Sequence, residues 1–361
     1  GTFRVRWSAT EPARAAIKVR HRGTWFYVAD DDLESKSTFM LLIQLFNMQA
    51  GRGAIAIGVV GPLLAAIGYV SASTALVYPA AVSMGLFGSD LIPSITSDQL
   101  SALTSDQAVG LRSTQLALWT SEQVTGFSTG VVAGVRTEQV RGLNSDQVAA
   151  LTTDQVSALR AAQLSSLTTG ALAGLETEDA AALTSTQVVG LTTGQVRVLT
   201  SDQVGALATQ AVGALDSAQL RALSTDGLAG LVSDQVRVLK SGQVAGLSSV
   251  QVGVLSTDQV AALTTRTLRS LGSVQLRGLT SDQVAGLTTE QSASLGSDQF
   301  VGLTTDALGG FETEDVAVLT SLQSAGFGTR ELGALSSDAM TALSVNAVRG
   351  LTSVALRGLN S

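Results

Sequence analysis

Few residues of this 361-residue chain could do chemistry, and most of those that could recur by rule. The single histidine, His21, is the only base available to a His-assisted nucleophile. It sits in the basic run KVRHRG, where a solvated strand position accounts for it. Ser and Thr are abundant but periodic, so none stands out as a nucleophile. Two acidic motifs, ETED at Glu176–Asp179 and again at Glu312–Asp315, could pair as acid and base or hold a cation. They are separated by a whole number of eight-residue steps, and the simpler expectation is a duplicated surface decoration. Asp also recurs at eight-residue intervals, which raises the idea of a calcium ladder. Calcium takes about 6–8 oxygen ligands, and the Gly-rich loops of calcium-binding repeats are missing. Adjacent Thr pairs would suggest an ice-binding face, but neighbours on a strand point to opposite sides. Near the start, Arg4, Arg6, Arg14, Lys18, Arg20 and Arg22 mingle with Trp7, Trp25 and Tyr27. Such a mixture could contact phosphates and stack bases; a solvated hairpin face, or an edge used in assembly, is the plainer reading. These residues lead us to expect no catalytic, cofactor-binding or metal site, and no enzyme.

Composition narrows the class. With no Cys there are neither disulfides nor Cys-based metal sites. The apolar share of 45% is far too high for a disordered chain. Formal charge is −7, unevenly split: residues 1–94 carry a net +2 and residues 95–361 a net −9. An acidic body of that kind does not attract nucleic acid or an anionic membrane. The chain starts at Gly1, reads as a processed or excised piece, and shows no recognisable signal peptide.

Three regions separate. Residues 1–52 read as a small α+β module: FRVRWS and AAIKVRHRGTWFYVAD alternate as two or three strands with a turn at Arg22-Gly23-Thr24, and DDDLESKSTFMLLIQLFNMQAG reads as a helix. Residues 53–94 open with an uncharged stretch, Gly53 to Ser89, which is expected to anchor the chain in a membrane or pack in an assembly interface. Residues 95–361 hold an eight-residue phrase, repeated without insertion or deletion in 33 full copies through Gly358. Strict phase means that every unit occupies one environment.

The octad positions have separate demands. Position 1 is apolar in every copy, and position 6 in 31 of 33. Position 3 is Ser or Thr in 31, with Ala161 and Val345 as exceptions; position 8 is Ala, Gly or Ser in 28, and position 5 is Gln in 21. One continuous helix fails, because eight residues at about 100° each leave the Leu row drifting about 80° per octad. A short helix restarted in each octad fits, with Ser or Thr at position 3 as N-cap and an acidic residue next at the positive helix start. Positions 1, 5, 6 and 8 then face inward, and 4 and 7 face water. The Gln is expected to hydrogen-bond backbone groups freed at each corner. The predicted architecture is a mostly α solenoid of very short capped helices; a β-solenoid with corners at positions 4–5 is the alternative. Gln is lost from position 5 at Val131, Ala171 and Ala211, forty residues apart, and again at Gly227, Thr267, Ala307 and Ala347. Either a forty-residue unit was duplicated, or five octads complete whole superhelical turns.

Runs such as LTSDQVAGLTTEQ and LNSDQVAALTTDQV resemble the L-T-x-x-Q-[VIL]-x-A repeats of large bacterial proteins, many of them secreted or surface-attached. The resemblance covers residues 95–361. It implies an extended structural or adhesive stalk, extracellular or at the bacterial surface, with self-association or a surface ligand as partner. RGTWFYVADDDLESKSTFMLLIQLF resembles a tail segment of uncharacterised bacterial proteins, which brings no function with it.

Overall fold

The computed structural model describes residues 6–8, 15–21, 24–29, 92, 95–101 and 103–358, the strands by their backbone alone. They fall in two compact units, Gly1–Gly142 and Leu143–Ser361. In the first, β1 (Arg6–Ser8), β2 (Ala15–His21) and β3 (Thr24–Ala29) form an antiparallel sheet in the order β1-β3-β2. His21 pairs with Thr24, so only Arg22 and Gly23 connect β2 to β3. The helix expected after residue 30 and the uncharged stretch 53–89 lie outside the described residues.

From Ser97 to Gly358 the chain is a train of helices of four to six residues, one in each octad. No strand occurs among the described residues of this region, which sets the β-solenoid aside. Such helices are far below the length of about 12–15 residues at which an isolated helix holds together in water. Stacking sustains them. Within the second unit, positions 1 and 6 form the core: Val156 and Val188 are fully buried, and Leu159 and Leu191 nearly so. Each such side chain contributes roughly 1.5–3 kcal/mol when removed from water. Positions 4 and 7 are exposed, as at Asp234 and Arg237, which pair at 3.2 Å across one helical turn.

The helix start differs from expectation by one residue. The N-cap is position 2, so the Ser or Thr at position 3 is already the first helical residue. At Thr152, the hydroxyl accepts from the Gln155 backbone N–H at 3.3 Å, and the Thr152 N–H donates to Gln155 Oε1 at 2.8 Å. This reciprocal box needs the amide three residues after the cap, which fixes the cap at position 2. Arg160, Val232 and Lys240 serve as N-caps without a side-chain cap bond, because Gln still closes the other half. That is why position 2 varies freely.

The small residue at position 8 has a reason of its own: it lies on the position-3 backbone of the coil beneath. Stacked helices are three octads apart. A Cβ added at Gly278 would run into the backbone carbonyl of Ser249, in the coil beneath. Position 3 hydroxyls also reach the coil above, Ser241 donating to the Arg266 carbonyl at 3.3 Å. The coils therefore stack at offsets between three and four octads, and residues forty apart do not lie over each other. The forty-residue spacing is not a superhelical turn.

The core rows vary in side-chain size at a few positions. Position 6 becomes Ser at Ser292 and Ser324, both fully buried. In the same stretch Phe300, Phe311 and Phe327 replace smaller residues and pack ring on ring, with centroids 5.1 Å and 5.4 Å from Phe300. The Ser324 hydroxyl donates to the Ala347 carbonyl at 2.6 Å.

Candidate functional site: the position-5 joint

The side chain with the most bonds at each joint is the Gln at position 5. It is buried, as at Gln187 and Gln195. Its Oε1 closes the box of its own helix, and its Nε2 reaches down to the coil beneath. Gln187 Nε2 donates to the carbonyls of Val156 at 2.9 Å and Leu159 at 2.8 Å. Gln195 does the same to Leu164 and Leu167, at 2.7 and 2.9 Å. Gln235 and Gln291 repeat the geometry, and Gln139 meets Ala108 and Leu111 in the first unit. The receiving carbonyls sit 31 and 28 residues back, at the corner where one short helix ends and the next begins. The position-6 carbonyl already accepts from the N–H three residues on, as Val156 does from Leu159, so Gln adds a second bond there. It also gives the position-1 corner carbonyl a donor while capping its own helix start. The expected role of this Gln is what the structure shows.

Twelve octads lack the Gln; eight of these carry Val, Ala or Gly, and the other four fill the slot with a polar side chain in three ways. Thr267 uses its hydroxyl on the Leu239 carbonyl, 28 residues back, at 3.1 Å. Glu331 keeps only the capping half: its Oε2 accepts from the Gly328 N–H at 2.8 Å. The donor half is supplied by its neighbour, since Arg330 donates to the carbonyls of Leu303 at 3.0 Å and Val301 at 2.9 Å while its Nε holds Glu331 at 2.9 Å. Arg330 and Glu331 together do what one Gln does elsewhere.

The third way corrects a reading of the sequence. Asp179 and Asp315, the last residues of the two ETED motifs, occupy position 5 and are only 3% exposed. They are core carboxyls, not surface decoration. The Thr153 hydroxyl donates to Asp179 Oδ1 at 2.9 Å, and the Glu312 N–H donates to Asp315 Oδ2 at 3.4 Å. The fully buried Ser292 hydroxyl lies beside Asp315 without forming a well-shaped hydrogen bond. Burial pushes both carboxyls above the usual Asp range, against the lowering pull of these hydroxyls, and the flanking Glu176 and Glu178, or Glu312 and Glu314, push the same way. The two motifs are not brought together: each packs against helices three octads away, whereas seventeen octads part them. The signal for their burial was in the sequence, because both Asp residues stand in the Gln column.

Of the N-terminal candidates, the strand register gathers Arg6, Lys18, Arg20, Trp25 and Tyr27 on one face of the sheet. His21 ends β2, and register sets Arg6 and Lys18 on either side of Tyr27, with Arg20 paired to Trp25. Arg4, Arg14 and Arg22 lie outside the described residues. Among the described residues no group of three His, Asp or Glu is placed to hold a metal ion, and no helix is long and apolar enough to cross a membrane.

The ALTTAQ repeat family model matches the chain over residues 132–161, 172–209, 212–249, 233–265 and 265–297. This is a repeat protein. The first three matches begin forty residues apart, each one residue after a position 5 that lacks Gln: Val131, Ala171 and Ala211. That coincidence favours duplication of a five-octad unit as the origin of the longer period. No curated protein matches the chain.

Proposed function

We propose that the protein is a non-enzymatic structural element, an elongated stalk or self-assembling filament that works at the surface of a bacterium. The observation that carries this reading is the position-5 joint. The buried polar groups recurring most often, the position-5 amides, tie coil to coil at repeated offsets of 28 and 31 residues. An array of that kind makes length and stiffness its product. Self-association is the partner expected of it, with the uncharged stretch 53–89 as its attachment to a membrane or to a neighbouring subunit. Negative-stain microscopy and small-angle scattering of the full chain test the reading. Rods or filaments support it; compact monodisperse particles at high concentration overturn it.

A second reading, an adhesin or scaffold, is favoured by one specific feature. Along one stack of helices, each three octads from the next, position 4 carries Val250, Val274 and, beyond Asp298, Leu322. The three apolar side chains are 65%, 62% and 81% exposed. A face free of architectural demands is where a ligand would be read. Replacing these three by Asp would abolish binding to cells or glycans if the protein is an adhesin, and would leave rod formation by a stalk unchanged.

A further inference from the structure

At an ordinary joint, the amide of Gln gives both an acceptor to its own helix start and a donor to the carbonyls beneath. An ionised carboxylate has only acceptors. Where Glu331 fills the slot, the missing donor comes from Arg330, the position-4 residue before it. At Asp179 and Asp315 position 4 is Glu178 and Glu314, so nothing cationic stands in that place. The helices packed against Thr177–Ala182 add Asp154, on Thr153–Ala158, and Asp202, on Ser201–Ala206. Those packed against Thr313–Ala317 add Glu290, on Thr289–Ser294, and Asp338, on Ser337–Thr341. In the octads just before these, the coil beneath contributes Asp146 and Asp282. No Lys or Arg is on any of these helices. Register also places the carbonyl-lined corners of the coil beneath, Leu151 with Val148 and Leu287 with Val284, under the two carboxyls. Carboxylates, carbonyls and burial together all oppose a negative charge there.

We propose that Asp179 and Asp315 make two joints of the array proton-operated: the neutral carboxyl braces the slot as Gln does, and the ionised carboxylate loosens it. The direction follows by linkage. Both groups are raised in the folded chain above their unfolded value. Their contribution to stability is therefore fully present below the unfolded pKa and is lost as pH rises through the folded one. Acid tightens these joints, and neutrality relaxes them. The two sit seventeen octads apart, and the remaining carboxyl of this column, Glu331, is held by the Arg330 guanidinium, so the response is confined to two places along the array.

Hydrogen exchange on the intact chain tests the idea, because comparing two proteins at one pH cancels the intrinsic dependence of exchange. The double variant Asp179→Gln/Asp315→Gln installs the residue the slot holds elsewhere and so retains the fold. Exchange in peptides spanning 143–182 and 279–318 is followed from pH 4 to pH 8. The expected result is near-equal exchange at the acid end, with wild type opening several-fold more than the variant at the neutral end. The exposed control Asp226→Asn, on a helix that packs against neither Asp179 nor Asp315, is expected to follow wild type throughout. A wild-type to variant ratio that stays flat with pH overturns the proposal, as does an equal change at Asp226→Asn.

Discussion

The stretches 183–206 and 327–358 follow one octad rule and differ at one position. In the first, position 5 reads Gln187, Gln195, Gln203, and each amide is bonded to the coil beneath. In the second it reads Glu331, Ala339, Ala347, Ala355, and the bridging falls to Arg330 and to the hydroxyls of Ser324 and Ser344. The apolar rows persist in sequence in both, but in the second stretch position 6 becomes exposed at Val348 and Leu356, whereas it is buried throughout the first. The amide sets how firmly its corners are held. An array can thus vary its stiffness locally by changing one column of residues.

The sharpest way to break the contrast is Gln195→Glu, which keeps the shape, removes both donors and buries a charge facing two carbonyls. We expect a loss of about 3–5 kcal/mol, read from urea unfolding and from local hydrogen exchange in 164–199. Next comes Arg330→Ala. With its surrogate donor gone, Glu331 keeps the Gly328 N–H but is left as a buried carboxylate without a counter-charge, and about 2 kcal/mol should be lost. Adding Glu331→Gln to that variant should recover most of the loss; failure to recover would show that Arg330 acts by other contacts. In the opposite direction, Ala339→Gln should stabilise the second stretch by about 1 kcal/mol, measured as slower exchange at Leu308 to Phe311. The smallest effect belongs to the solvated pair: Arg237→Ala should cost less than about 0.5 kcal/mol in the same unfolding assay and lose even that in high salt.

Much of this architecture is legible in the sequence. The inward rows, the short capped helices and the backbone role of Gln all follow from periodicity and polar satisfaction. The N-cap lies one residue earlier than local rules put it, because Ser and Thr at position 3 look like caps. The position-8 residue of the coil above lies on their backbone, a long-range constraint that local rules do not contain. The stacking offset is hidden too, since it leaves no repeat of its own in sequence; the visible forty-residue period records duplication instead. Asp179 reads as surface decoration when its motif is weighed as charges, whereas its column says core.

The tie from Gln187 to Leu159 spans 28 residues, and its second tie, to Val156, spans 31. Every such bond is therefore closed soon after its second partner leaves the ribosome, and growth of the array never waits for a distant segment. Low relative contact order of this kind favours fast folding. It also makes the gene tolerant of one sort of accident. Gain or loss of a whole octad leaves each amide facing an equivalent corner, whereas a single-residue slip misaligns every joint within reach. Unbroken eight-residue phase through 33 copies is what selection against such slips would leave behind.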